Sequence, residues 1–488
     1  MFTLEKETVL KDYTALKKIA HLYIKHKKYE KALRTLFAAC GVMYTCNQIY
    51  CDDEIEEYVK QIAGEVCQAP EKYAPGKKVM FYDGFGNDRR GLAVIYLKAL
   101  LDAGYDIIYV TYEKLRHSIG EIRKLLDEKQ MIYIRQYHFI DQMRELNRIA
   151  ANSGASAVLL YMYPDDVVGV GVFSLYEGKL ERYLINLTDH AFWIGKSALD
   201  YTIEYRSYGA IVSYEKRKIE KERIHMLPFY PHIRQEAFDG LAFDTVGKKM
   251  IFSGGSLYKT FGEDGLYYKM MEEILRMAPE VIFYYAGEGD TTRLNRLASK
   301  YPGRVFYSGE RKDFYEVIKR CYLYISTYPY FGGLMTQYAL AAGKLPITLN
   351  SEKTVGEQTA EVSDAWFFET KEEMLSAVKR YIVEPSYLRE QEKKVRNSII
   401  SPDGFAKELH AILEVQRSSI PVRWKPLNTD GIQRVSLENM NREKYRGLFC
   451  RVRTPFLFLR FPMKFIGGLC YNITQYKTKG RQGWIFRK

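Results

Sequence analysis

Residues 186–195, Asn-Leu-Thr-Asp-His-Ala-Phe-Trp-Ile-Gly, follow an apolar strand-like run and set Asp189 beside His190 ahead of an aromatic stretch. An imidazole oriented by a carboxylate at a strand end can accept a proton from an attacking hydroxyl or donate one to a phosphate; a histidine that merely caps or packs locally is the alternative. Four other segments end an apolar run in glycine just before a helix pattern: 253–259, 287–290, 309–313 and 330–337. Glycine lets backbone N–H groups approach a ligand, and the helix N-terminus that follows favours an anion such as phosphate. None of the four is a Walker A or GxGxxG sequence. Asp200, Glu204 and Arg206 read as a structural ion pair, and the loop 83–91 carries Asp83, Asn87, Asp88, Arg89 and Arg90. No Asp-x-Asp pair and no CxxC spacing among the seven cysteines suggests a metal, so none is expected.

Such side chains need strands and helices to hold them. From residue 78 the pattern runs strand (78–82), polar loop, helix (91–103), strand (105–109), a βαβ unit. Further strands are expected at 132–135, 157–161, 169–173, 181–186 and 210–213, with a helix at 140–151. After the two prolines of 226–231 a second series begins, with strands at 249–253, 281–285, 305–307, 323–326 and 345–348 alternating with helices. The fold class expected is α/β, two Rossmann-like domains facing a cleft, with ligands at the carboxyl ends of the strands. Ahead of them, residues 10–65 read as helices, and 20–36 resembles one tetratricopeptide-type hairpin, too little for a solenoid. The expected domains are a helical cap at 1–74, an N-terminal Rossmann-like domain at 75–230, a C-terminal one at 231–415, and a linker with a basic aromatic tail at 416–488.

Of the net charge of +13, residues 441–488 hold +11, with twelve basic residues and one acid. The cations alternate with Phe449, Phe456, Leu457, Phe458, Phe461, Phe465, Ile466 and Trp484, which a simply solvated charge run would not carry. No RNA- or DNA-binding pattern accompanies them, so no nucleic acid is expected. An anionic membrane surface suits the segment better, and docking within the chain or on a partner is the other possibility. Residues 1–28 are charge-rich and amphipathic rather than signal-like, and no run of about 18 apolar residues spans a bilayer. The expected location is cytoplasmic, peripheral at the inner face of the plasma membrane.

The segments 253–259 (SGGSLYK), 283–289 (FYYAGEG), 304–321 and 322–347 together resemble, in order and spacing, bacterial nucleotide-sugar glycosyltransferases of the GT-B type, group 1-like. The resemblance implies a nucleotide-sugar donor held by the second half as co-substrate, with no other cofactor. It places Gly255, Ser256, Lys259 and Gly287 near the diphosphate, the N–H groups of Gly332, Gly333, Leu334 and Met335 on the donor phosphates, and Gln337 and Arg311 on ribose, base or sugar. Many retaining members carry two glutamates seven residues apart here; this chain has Gln337 and Lys344. The loop 186–195 is similar to the histidine-bearing loop of O-linked N-acetylglucosamine transferases, which makes His190 with Asp189 the expected catalytic pair, and loop 83–91 falls where the fold receives an acceptor. The implied activity is metal-independent sugar transfer to a glycan or lipid-linked glycan of the cell envelope or a capsule. A polyol-phosphate transferase of teichoic-acid type and a non-catalytic partner of another transferase share the pattern.

Overall fold

In the computed structural model, residues 4–68, 73–88, 91–262, 265–351, 366–396, 398–438, 440–449 and 455–479 are described. The chain forms two compact units, one of residues up to Leu227 together with those from Ala406 onward, the other Pro228–Phe405.

The first unit opens with α1 (Lys6–Lys25), α2 (Tyr29–Cys46) and α3 (Asp53–Val66). Val9, Tyr13, Leu16, Ala20 and Tyr23 recur every three or four residues along α1 and are buried. The start of α3 is fixed by Asp52, whose carboxylate accepts the Ile55 N–H at 3.1 Å. Then come β1 (Lys78–Asp83), α4 (Leu92–Asp102), β2 (Asp106–Tyr112), α5 (Ile122–Leu125), β3 (Met131–Ile134), α6 (Phe139–Ala151), β4 (Ala155–Tyr161), α7 (Val167–Ser174), β5 (Glu181–Ile185), β6 (Tyr201–Glu204), α8 (Ser207–Glu215) and β7 (Ile224–Met226). The seven strands form one sheet in the order β3-β2-β1-β4-β5-β6-β7, parallel throughout. This is a doubly wound arrangement, whose order reverses between β1 and β4.

Two expected strands are helices. Residues 169–173 lie in α7 and 210–213 in α8. Both segments are buried along nearly their whole length, and a short apolar run buried on all sides has no periodicity to separate strand from helix. In α7 the decision is local: the Asp166 carboxylate accepts the N–H groups of Val168 (3.1 Å) and Gly169 (2.8 Å), which starts a helix. The N-terminal helices pack on this sheet: Leu16, Leu36 and Val59 share a core with Val110, Val158 and Val170.

The second unit contains β8 (Lys249–Gly254), α9 (Leu266–Met277), β9 (Val281–Ala286), α10 (Thr292–Lys300), β10 (Val305–Ser308), α11 (Phe314–Arg320), β11 (Leu323–Ile325), α12 (Gly333–Ala341), β12 (Pro346–Leu349), β13 (Phe367–Phe368), α13 (Lys371–Val383) and α14 (Pro385–Val395). Its parallel sheet has the order β10-β9-β8-β11-β12-β13. Every strand expected between 249 and 348 is present.

From α15 (Pro402–Val415) the chain joins the first unit, so the boundary expected after 415 falls at Phe405. The cause is polar pairing: Tyr105 OH lies 2.9 Å from His410 Nδ1 and donates to Glu414 at 2.7 Å, and Ser418 Oγ donates to the Met226 carbonyl at 2.7 Å. The basic segment then forms α16 (Asp430–Glu438), α17 (Arg442–Phe449), α18 (Pro455–Arg460) and α19 (Pro462–Lys479). Part of it is seated on the N-terminal helices. Tyr445, Leu448, Phe449 and Phe461 are buried, Tyr445 OH donates to Asp12 at 2.7 Å, and Lys464 Nζ pairs with the same carboxylate. Phe458, Leu459, Met463, Ile466 and Ile473 remain exposed.

Candidate functional site

The segment after β5 turns Asp189 inward and His190 outward. The Asp189 side chain is fully buried, whereas that of His190 is 48% exposed. Arg206, at the start of α8, grips the Asp189 carboxylate through Nε (2.5 Å) and Nη2 (2.8 Å), and Tyr205 OH adds a third bond at 3.2 Å. His190 Nδ1 stands 3.3 Å from Asp189 Oδ1. Burial opposes ionisation of Asp189, but the guanidinium beside it prevails and holds the carboxyl far below the usual carboxylate range. With that carboxylate against Nδ1, Nε2 is the ring nitrogen left for another partner.

The expected ion pairing among Asp200, Glu204 and Arg206 is not what forms. Asp200 pairs with Arg182 at 2.7 Å, Arg206 with Asp189, and Glu204 accepts from Asn186 (2.9 Å) and Ser213 (2.6 Å). Three residues that sequence reasoning passed over hold the loop. Asn47 donates to the His190 carbonyl and accepts the Phe192 N–H, both at 2.9 Å. Buried Glu56 accepts the N–H groups of Gly195, Lys196 and Ser197 at 3.0, 3.1 and 2.5 Å. Arg217, fully buried, donates to the carbonyls of Asp189 (3.0 Å) and Ala191 (2.6 Å), with its guanidinium 4.6 Å from the Trp193 ring. Only the fold reveals the partner of Asn47, 143 positions away. Beside the loop, a small depression at the ends of β4 and β5 is lined by Tyr163, Asn186, Thr188 and Trp193.

Loop 83–91 is tied down at its described residues. Asp83 accepts from Tyr109 OH (2.6 Å) and the Gly86 N–H (2.7 Å), and burial pushes its carboxyl up to about 6. Asp88 accepts the Glu121 N–H at 2.6 Å. Asn87 is half-buried next to it; Arg89 and Arg90 lie outside the described residues.

In the second unit, the glycine-bearing strand ends converge. Gly255 N–H donates to the Ala286 carbonyl at 3.0 Å and Leu257 N–H to the Glu288 carbonyl at 2.8 Å, which lays the loop after β8 along the loop after β9. Gly287 is what allows this. A Cβ there would sit 1.9 Å from the Gly255 carbonyl oxygen, and backbone cannot move aside as a side chain can. The same β8 loop is tied to the segment before α12, for Tyr330 N–H donates to the Lys259 carbonyl at 3.2 Å. Met335, in the first turn of α12, reaches Gly254, whose added Cβ would lie 3.1 Å from its Cε. Gly255, Ser256, Lys259, Gly287 and the α12 start formed by Gly332, Gly333, Leu334 and Met335 thus stand together. Ser256 is exposed and Lys259 half-buried. The N-cap of α12 is Gly332, with no side-chain acceptor for the first-turn N–H groups, and the partial positive charge of that end faces the glycine loops. On the next turn, the Gln337 Oε1 atom is buried with no hydrogen-bond partner among the described residues.

One other expectation places differently. Arg311 is committed within the unit: Nε and Nη2 donate to Asp313 at 2.8 and 2.6 Å, and Nη2 donates to the Gly240 carbonyl at 2.8 Å. It straps the segment before β8 to the loop after β10 instead of presenting a fork to a ligand. Lys344, seven residues after Gln337, lies beyond the far end of α12 at 3.7 Å from Glu392. Among the described residues no cluster of three metal-ligating side chains occurs.

No protein-family model matches the chain, and no curated protein sequence does. Solved structures do match. The lipopolysaccharide outer-core galactosyltransferase WaaB superposes at a TM-score of 0.51 with 10% identity, over 70% of this chain and 100% of that one. A Listeria monocytogenes protein designated a UDP-N-acetylglucosamine 2-epimerase gives 0.50 at 11% identity, over 70% and 96%. An O-GlcNAc transferase variant of Thermobaculum terrenum covers 88% of this chain and 82% of its own at 14% identity, with a TM-score of 0.47. At these identities the likeness speaks to architecture, and it agrees with two parallel sheets in doubly wound order. The chain has the GT-B fold.

Proposed function

We propose that the chain is a glycosyltransferase that moves a sugar from a nucleotide-sugar donor to a glycan or lipid-linked glycan of the cell envelope. The observation that carries this reading is the convergence in the second unit of Gly255, Ser256, Lys259 and Gly287 on the uncapped start of α12. The first-turn N–H groups of α12, its helix dipole and one lysine suit a diphosphate whose charge grows as the glycosidic bond breaks, without a metal ion. Gln337 Oε1 offers the donor a hydroxyl acceptor. In the first unit, His190 takes the proton of the attacking acceptor hydroxyl while Asp189 stays ionised beneath it.

The acceptor side of the reading rests on the C-terminal helices. Met463, Ile466 and Ile473 recur on α19 at helical spacing and are exposed, with Phe458 and Leu459 of α18 beside them, in a segment carrying most of the chain's net positive charge. No described helix is long and apolar enough to cross a membrane. Peripheral attachment at the inner face of the plasma membrane would bring the chain to lipid-linked glycans.

The test is a thermal-shift panel of UDP, GDP, CDP and ADP with their sugars, since a ligand at a hundredfold its dissociation constant stabilises by about 2.7 kcal/mol. One nucleotide should shift the parent and not Lys259→Ala. Release of a nucleoside diphosphate supports sugar transfer, release of a monophosphate points to polyol-phosphate transfer, and no shift with any nucleotide leaves a non-catalytic partner. Sedimentation with phosphatidylglycerol vesicles, lost in Ile466→Asp with Ile473→Asp, checks the membrane surface.

A further inference from the structure

We propose that the short segment from Cys46 to Tyr50 transmits the position of the C-terminal helices to the His190 loop, so that docking of α16 sets where His190 stands. The consequence for turnover rests on the transferase reading above; the positioning itself rests on contacts alone. One side of the segment holds α16. Gln48 Nε2 donates to the Gln433 carbonyl at 3.1 Å, Gln433 Nε2 donates back to the Gln48 carbonyl at 3.3 Å, and Ser436 Oγ donates to the Cys46 carbonyl. The other side holds the loop. Asn47 brackets His190 with bonds to the His190 carbonyl and the Phe192 N–H, and the Tyr50 carbonyl accepts the Trp193 N–H at 3.3 Å.

The link is stiff for two reasons. Asn47 ends α2 in the left-handed region, at φ 45° and ψ 54°, with its own N–H on the Met43 carbonyl at 2.6 Å, so its side chain is aimed by the helix. Asn47 and Gln48 are 3% and 5% exposed, and buried polar groups cannot exchange a lost partner for water. Arg217 closes the bracket from behind, stacked 5.5 Å from the Tyr50 ring and 4.6 Å from the Trp193 ring while donating to the loop carbonyls. Separately, α19 packs on α17 and α17 on α2, the helix that Asn47 ends. Asn47, Gln433 and Ser436 are positioning residues; none of them touches a reacting atom.

The test uses the full chain with Gln433→Ala and Ser436→Ala, and reads amide hydrogen exchange in residues 190–197. Exchange there should quicken about tenfold while β9 amides keep the parent rate. Asn47→Gly, which retains the left-handed backbone and removes the bracket, should quicken the same amides, and the combined variant should add little beyond it. Unchanged exchange in 190–197 while α16 amides exchange faster would overturn the proposal, as would full additivity. Should the double variant not fold, Gln433→Ala alone carries the same comparison. With a nucleotide sugar that the parent turns over, kcat should fall while KM for the donor holds. If the parent turns over none, the transferase reading falls and the exchange result still decides this one.

Discussion

Replacing Asp189 with asparagine keeps the shape of the side chain and removes its charge. The fully buried carboxylate receives donors from Arg206 Nε and Nη2, Tyr205 OH and His190. An amide accepts at one oxygen only, so its NH2 group must face at least one of these donors, and Arg206, 6% exposed, loses the carboxylate it grips. Breaking a buried pair in this way costs about 3–5 kcal/mol, or roughly 5–8 °C in melting temperature for a unit of this size. His190→Ala should behave oppositely: half-exposed and at the surface, it should cost less than about 0.5 kcal/mol and still reduce turnover by about 10²- to 10⁴-fold. Thermal melts of the parent, Asp189→Asn, His190→Ala and Asp189→Asn with Arg206→Met, together with turnover of each, separate the two roles. The double variant removes both charges and should regain much of the lost stability. A melting temperature for Asp189→Asn within about 1 °C of the parent would refute the account of the pair. The sign with pH is fixed as well: the depressed carboxyl contributes its full stabilisation above the unfolded value of about 4, and that contribution fades as pH falls through the lower folded value.

Gly287→Ala should shift the β8 and β9 loops apart, destabilising the second unit by about 2–4 kcal/mol and abolishing the nucleotide-induced thermal shift, whereas Gly303→Ala, with φ near 70° but open space around it, should cost only about 1 kcal/mol and spare the nucleotide response. Asp83 and Asp166, both pushed up to about 6 by burial, give the opposite pH sign from Asp189. The folded chain binds their protons more tightly, so stability should decline as pH rises from about 4 to about 6 and level off above; melts across that window should flatten when both are changed to asparagine, and a flat parent profile would contradict the assignment.

The second unit was legible because its alternation of apolar strand, glycine-bearing loop and amphipathic helix matches its construction step for step. What sequence could not supply was competition for partners. Arg311 looks like a free cation after a glycine until Asp313 and Gly240 claim it. Arg206 sits two residues from Glu204 in sequence, yet Asp189 is its partner because α8 begins beneath the loop after β5. The helices α7 and α8 escaped for a different reason: runs such as Val167–Ser174, apolar on every face, erase the period that tells helix from strand. Asn47 and Glu56 were invisible since their ligands are backbone groups, which no pattern of residue types records.

The first unit is discontinuous, and this bears on synthesis. Pro228–Phe405 is whole once Phe405 has emerged, so that unit can close while the chain is still being made. The unit begun earlier cannot. Asp12 and Tyr445, which meet at 2.7 Å, are 433 residues apart, and at about 5–20 residues per second roughly 20–90 s pass between their appearances. Throughout that interval α1 and α2 expose the apolar faces that α17 will cover, a long window in which a nascent chain needs protection from its neighbours.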